Sequence, residues 1–479
     1  MTQIHDLSVV EQAAAIAAGE VSPAEITDHY LDRIDRLNDQ VGAFYTVTGE
    51  LAREQAARAG QAAGRHRQAG GGADTPLPPL TGVPIPIKDL TMVAGVRCTF
   101  GSTVFAGNIA ADDDYVASAL RLAGSVMIGK TATPEFGLPC YTETKIGPPA
   151  RTPWDLTRSA GGSSGGAAAA VAAGLAPAAQ GSDGGGSIRI PASACGLFGI
   201  KPSRGRISRG PVQADLAGLS TDGPLARTVA DAALLLDVMA GTLPGDLYAA
   251  PPLAAGQTFL AAAAREPGRL RIARSLQTIM PGARPHPDCV AAYENASSLL
   301  AGLGHEVDDI DLPFAAGSIP AFETLWFAMA SLAPVEAAQE DQLLPLTRYL
   351  RGRGLQLRAV ELLRAQSALQ SVMRAALGTL SGYDAILHPT LASPPVPVGY
   401  FDEVGPAENF ERQKLFTPWT ALYNMSGQPA VSIPLHWTAA GLPIGVMLAG
   451  RTGAEATLIS LSAQLEAAAP WRHRSPAMW

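Results

Sequence analysis

Charge is scarce in this sequence: Asp, Glu, Lys and Arg make up 16% of 479 residues, against roughly 25% in ordinary globular chains. Much of the chain is therefore expected to be interior, which suits its 47% hydrophobic fraction. Basic clustering is missing too. With a net charge of −8 and scattered Lys and Arg, no stripe exists to neutralise phosphates, so no nucleic-acid partner is expected. The most apolar window, 167–179, is broken by Gly174 and Pro177 and falls short of the roughly 20 residues that cross a bilayer. No membrane partner is expected. The segment 1–10 contains His5 and Asp6 and has neither a cationic start nor an apolar run, so it does not read as a secretory signal, and a cytoplasmic location is expected. Cysteines number four: Cys98, Cys140, Cys195 and Cys289. Their wide spacing, without a C-x-x-C pair, predicts reduced, buried thiols. His286, His305, His388 and His436 lack metal-ligand spacing and no H-E-x-x-H occurs, so they read as surface or packing residues and no metal is expected.

What is present is an α/β rhythm. Ser22-Pro23-Ala24-Glu25 is a capping box with proline at the first helical position, followed by Ile26, Tyr30, Ile34 and Leu37 at helical spacing. Residues 60–79 read as a surface connection, and the core is expected to start near Leu80. Strands are expected at Val83–Ile87, Ser125–Ile128, Leu270–Ala273, His305–Ile310 and Ala385–Leu387, with helices at Tyr115–Ala123 and Thr228–Met239. The segment 241–256 reads as a loop, and 335–380 as a long helical stretch. No internal repeat or heptad seam is present.

The chemistry concentrates in two glycine-rich serine loops that bracket an Ala-rich helix. The first runs Gly161-Gly162-Ser163-Ser164-Gly165-Gly166; the second runs Gly181-Ser182-Asp183-Gly184-Gly185-Gly186-Ser187 and leads into Ile188-Arg189-Ile190-Pro191. A flexible linker would not contain a well-formed apolar helix. A phosphate cradle is excluded by detail, because Ala167 stands where a P-loop carries lysine. Gly161–Gly165 literally matches the G-x-S-x-G nucleophile elbow, yet the preceding segment 152–158 is turn-like rather than a strand and no downstream histidine stands out as base. Gly82-Val83-Pro84-Ile85-Pro86-Ile87-Lys88 offers another base. A buried lysine loses its charge readily, and Ser–Lys variants of the hydrolytic triad exist.

In order, spacing and flanking residues, the chain from Gly82 to Arg206 closely resembles the amidase signature family. Gly129-Lys130-Thr131 and Gly196-Leu197-Phe198-Gly199-Ile200-Lys201-Pro202 belong to the match, and weaker echoes continue through Asn424-Met425-Ser426-Gly427-Gln428. The resemblance implies an α/β fold with a large mixed sheet covered by helices on both faces. It also implies one domain over 1–479, with N-terminal helices in 1–60, the signature core in 80–210 and a helical substrate-pocket region in 325–380. It further implies Ser187 as nucleophile, Ser163 as proton shuttle after a cis Gly162–Ser163 peptide, and Lys88 as base. The N–H groups of Gly184, Gly185, Gly186 and Ser187 would face the oxyanion, and Ser164, Asp183 and Arg189 would support the site structurally. No cofactor is implied. The partner expected is a small-molecule amide, anilide or carbamate, in a monomer or homodimer, with Phe136–Ile146 and the helices from Trp326 to Leu380 lining the pocket. The family also contains the glutaminase-type subunit of tRNA-dependent amidotransferases, which stands as the alternative.

Overall fold

The computed structural model describes residues 3–70 and 76–479. Its helix Pro23–Val41 starts at the capping box: Ser22 Oγ accepts the Glu25 N–H (3.1 Å) and Glu25 Oε2 accepts the Ser22 N–H (2.8 Å), satisfying two otherwise orphaned donors. The connection expected over 60–79 is corrected in its first half. Helix Gly49–Gln68 runs through it and buries Ala52, Ala56 and Ala63, because the strong propensities of alanine, glutamine and arginine outweigh Gly60 and Gly64. Residues 71–75 of that connection lie outside the described residues.

The strand expected at Val83–Ile87 is shorter and later, Ile87–Lys88. Pro84 and Pro86 have no N–H to donate to a ladder, so only an isolated bridge from Pro84 to Val126 forms upstream. The strand expected at Ser125–Ile128 likewise forms at Gly129–Thr131. It pairs parallel with Ile87–Lys88 and antiparallel with Phe44–Val47 in a three-stranded sheet.

A second, eight-stranded mixed sheet runs in the order Ala178–Asp183, Thr221–Ala226, Phe198–Lys201, Ala430–Trp437, Pro443–Gly450, Ala385–Pro389, Arg271–Arg274 and Glu306–Asp309. Its last three strands are parallel to one another; the other pairings are antiparallel. The two sheets meet at Ala178–Asp183, an edge strand. There the Lys88 N–H donates to Gln180 Oε1 (2.9 Å) and the Gln180 N–H donates to the Pro86 carbonyl (3.1 Å).

Two helices near that edge strand are buried along their whole length: Gly165–Ala172 packs on the strand itself, and Arg189–Cys195 packs on Phe198–Lys201, Ala430–Trp437 and Pro443–Gly450. The first is almost entirely alanine and glycine for a steric reason: a Cβ at Gly166 would lie 2.3 Å from the Ala132 nitrogen. The helical stretch expected at 335–380 resolves into helices Pro345–Leu355 and Ala359–Leu380, preceded by Ser318–Ser331. These pack with Phe401, Phe410 and Trp419 into an apolar cluster distinct from the core beneath the main sheet. All four cysteines are free and buried. Among the described residues no helix is long and apolar enough to cross a membrane.

Candidate active site

Lys88 ends its short strand with a fully buried side chain. Its Nζ donates to Ser163 Oγ (2.8 Å), Ser164 Oγ (2.9 Å), Ser182 Oγ (3.0 Å) and, more weakly, the Ser182 carbonyl (3.3 Å). Every partner is a neutral oxygen. Burial pushes the Lys88 pKa down to about 7, with Asp222 and Asp183 opposing the shift. A substantial neutral fraction therefore exists near neutrality, which a surface lysine would lack.

Ser163 and Ser164 sit at the start of the Ala-rich helix, and Ser187 just before Arg189–Cys195. The Gly162–Ser163 peptide is cis. Position 162 admits nothing larger than glycine, because a Cβ there would approach the Tyr141 backbone to 2.7 Å. Gly162→Ala is accordingly expected to displace Ser163 or Tyr141 and to lower kcat/KM by about 10- to 100-fold, in line with the 1–3 kcal/mol typical of overpacking. Steady-state kinetics, with circular dichroism as the control for folding, checks this.

Ser187 is buried as a residue, but it lines a cavity and its hydroxyl makes no side-chain hydrogen bond among the described residues. Around it the main chain is tied down by Asp183. The Asp183 carboxylate accepts the N–H of Gly186 (2.8 Å) and Ile188 (3.1 Å), two bonds from the Arg189 guanidinium (3.0 and 2.9 Å), and one from Asn424 Nδ2 (2.9 Å). Burial alone would raise the Asp183 pKa, but Arg189 outweighs it and holds the carboxyl well below the usual range. Arg189 in turn donates to the Thr420 carbonyl (2.8 Å) and Asn424 Oδ1 (2.7 Å). The loop is therefore clamped to the segment 420–424.

This clamp corrects one expected donor. The Gly186 N–H is directed to Asp183 rather than toward Ser187 Oγ's surroundings, whereas the N–H groups of Gly184, Gly185 and Ser187 have no acceptor among the described residues. Ser182 was quoted in the sequence motif without a role, yet it contacts Lys88. The missed signal is strand alternation: in Ala178–Asp183, Gln180 and Ser182 share one face and both hold Lys88, while Asp183 on the other face takes Arg189.

Two cavities open beside these groups. One, of about 80 Å³, is lined by Gly185 and Ser187 and walled by Ile279, Ile319, Phe322 and Trp326. The other, of about 220 Å³, is lined by Ser163, Ser182 and Gly184. Trp326 and Leu138 stand between them, lining both. The expected pocket segments are correct only in part. Phe136–Cys140 and the helix carrying Trp326 supply walls, but 345–380 packs behind that helix, and Phe410–Met425, from a segment given no pocket role, lines the smaller cavity.

The amidase family profile matches residues 25–459. The putative amidase AmiB2 of Mycobacterium tuberculosis is 40% identical over 98% of this chain and 97% of its own length. An acylamidase of Rhodococcus erythropolis is 34% identical over 99% and 98%. The solved structure of a 6-aminohexanoate cyclic dimer hydrolase superposes with a TM-score of 0.89 at 31% identity, covering 100% of both chains. By sequence and by fold, this chain belongs to the amidase signature family and is a hydrolase of amides.

Proposed function

We propose that the chain acts as one catalytic unit that cleaves carboxamides of apolar or aryl carboxylic acids, together with anilides and aryl carbamates, through an acyl-enzyme on Ser187. The observation that carries this reading is the fully buried Lys88 amine 2.8 Å from Ser163 Oγ, with its pKa brought to about 7. Neutral Lys88 takes the proton of Ser163, and Ser163 takes that of Ser187 as its Oγ attacks the carbonyl carbon. The Ser163–Ser187 contact is made only when substrate draws the two hydroxyls together, as catalytic hydrogen bonds often tighten on binding. The unpartnered N–H groups of Gly184, Gly185 and Ser187 hold the oxyanion, each contributing about 3 kcal/mol. As the C–N bond breaks, Ser163 returns a proton to the leaving nitrogen. Water then attacks the ester, loses its proton along the same relay, and frees the acid and Ser187.

The apolar cavity at Ser187 supports the acyl preference. The glutaminase alternative finds less support: the polar lining of this cavity beyond Ser187 is Gln413, Thr417 and Lys414, and Lys414 is already paired with Glu323 and Glu411 rather than held ready for the carboxylate of glutamine. The test is release of aromatic amine from a panel of anilides and aryl carbamates between pH 5 and 9. Because Lys88 must be neutral, kcat/KM is expected to rise about tenfold per pH unit below its pKa of about 7 and to level off above it. A profile flat across that range, or ammonia release from glutamine with no anilide cleaved, rejects the reading.

A further inference from the structure

Lys88 is gripped from both sides by a belt of side chains that the mechanism above does not use. Its N–H donates to Gln180 Oε1 (2.9 Å), Gln180 Nε2 donates to Asp222 Oδ1 (2.7 Å), and Asp222 Oδ2 accepts from the Arg209 guanidinium (2.9 Å). Arg209 also donates to Gln213 Oε1 (2.6 Å). Gln213 Nε2 in turn donates to the Leu90 carbonyl (3.0 Å), which returns the belt to the chain two residues past Lys88. Only one orientation of Gln180 satisfies this arrangement, because the Lys88 N–H can only donate and the Asp222 carboxylate only accept.

Strand register puts the ion pair of this belt beside the amine itself. Asp222 stands directly opposite Ser182 in the antiparallel pairing of Ala178–Asp183 with Thr221–Ala226, so their side chains share a face, and Ser182 Oγ contacts Lys88 Nζ (3.0 Å). Arg209 lines the cavity of about 220 Å³ together with Ser163 and Ser182. Burial alone would lower the Arg209 pKa, but Asp222, Asp215 and Asp114 outweigh it and keep the guanidinium charged.

The other charges around Lys88 are committed elsewhere. Asp183 pairs with Arg189 (2.9 Å) from the opposite face of the edge strand. Lys130, which stands beside Ile87 rather than Lys88 in the parallel pairing, is matched with Asp89 (3.3 Å). Helix Gly165–Ala172 brings no titratable side chain. Burial is the first cause of the lowered Lys88 pKa; Asp222 and Asp183 oppose it and Arg209 adds to it. The amine is thus poised between an anion and a cation that are bonded to each other.

Resting on the amidase reading, we propose that Arg209 and Asp222 are positioning residues for the general base: the belt fixes the Lys88 backbone, and the opposed charges of the pair set how readily its amine gives up a proton. Without Asp222 the cation acts alone and the amine turns neutral at lower pH. Without Arg209 the carboxylate acts alone and the amine keeps its proton to higher pH.

The experiment records kcat/KM for anilide cleavage against pH in the wild-type chain, Asp222→Asn, Arg209→Met and the double variant. In wild type the acid limb has its midpoint at about 7. Asp222→Asn is expected to move it down and Arg209→Met up, each by about one pH unit, and the double variant to return it to the wild-type value. A belt that only holds the fold would lower the plateau in all three variants and leave the midpoint in place. That result overturns the proposal, as do two shifts in the same direction. Asp222→Asn keeps an oxygen for Gln180, so its downward shift alone decides if Arg209→Met does not fold. The same titration is read without turnover from chains carrying 13C at the lysine ε-carbon; the chain has five lysines, and Lys88→Met identifies the signal. If no anilide or carbamate is cleaved, the amidase reading is what fails. Opposed shifts of the Lys88 resonance then uphold the role of the pair, and an unmoved resonance overturns it.

Discussion

Ser187→Ala is expected to reduce kcat by about 10⁴- to 10⁶-fold, the scale seen when the nucleophile of a hydrolytic triad is removed. The loss should appear in kcat rather than in KM. Ser187 is at the mouth of the apolar cavity but contributes only one hydroxyl to it, so substrate still enters and no acyl-enzyme forms. Lys88→Ala should behave differently. Ser163, Ser164 and Ser182 lose their common donor, but the nucleophile remains. Activity at neutral pH falls by about 10²- to 10⁴-fold, the usual contribution of a general base, and part of it returns in alkali as hydroxide substitutes for the amine. Amine release measured at pH 7 and pH 10 checks both. Normal turnover in either variant would sink the relay, and an alkaline recovery in Ser187→Ala would point to another nucleophile.

Asp183→Ala is expected to be the most damaging change to stability. It strands a fully buried guanidinium at Arg189 and leaves the Gly186 and Ile188 N–H groups without acceptors. Breaking one partner out of a buried ion pair costs about 3–5 kcal/mol. The penalty belongs mostly to the abandoned charge. The double variant Asp183→Leu/Arg189→Met should therefore recover much of the loss in a urea titration while remaining catalytically poor, since the loop before Ser187 would no longer be fixed. If the double variant is as unstable as the single one, the hydrogen bonds to the loop, and not the uncompensated arginine, set the cost.

The parts of the molecule that can be read from the sequence are those whose signals are local. The contact between Lys88 and Ser163 could be anticipated because both sit in short motifs whose glycines, alanines and prolines carry local steric demands, such as the exclusion of a Cβ at Gly162 and Gly166; Ser187 remains a proposal from the same kind of motif. The helix Pro23–Val41 was legible from its cap. The helix Gly49–Gln68 was not, because a run of Gly, Ala and Gln lacks the apolar periodicity that usually announces a helix, and only its packing reveals which alanines are inside. The cavity walls were the least legible. Leu138, Ile279, Phe322 and Met425 come from four distant segments, and no local pattern in any of them says that they will face one serine. Gly186 shows a subtler limit: residue type permits its N–H to turn either way, and the choice is made by a carboxylate three positions earlier.

The proposed base, Lys88, comes from the three-stranded sheet, while its serine partners lie in or beside the edge strand of the eight-stranded one, and the two halves touch through Gln180. Neither half alone holds a basic amine beside a nucleophile. If the proposed relay operates, a nascent or misassembled chain carries no stray hydrolytic power: Lys88 left in water keeps its proton, and Ser187 without it is an ordinary alcohol. Assembly itself is the safety catch on the chemistry.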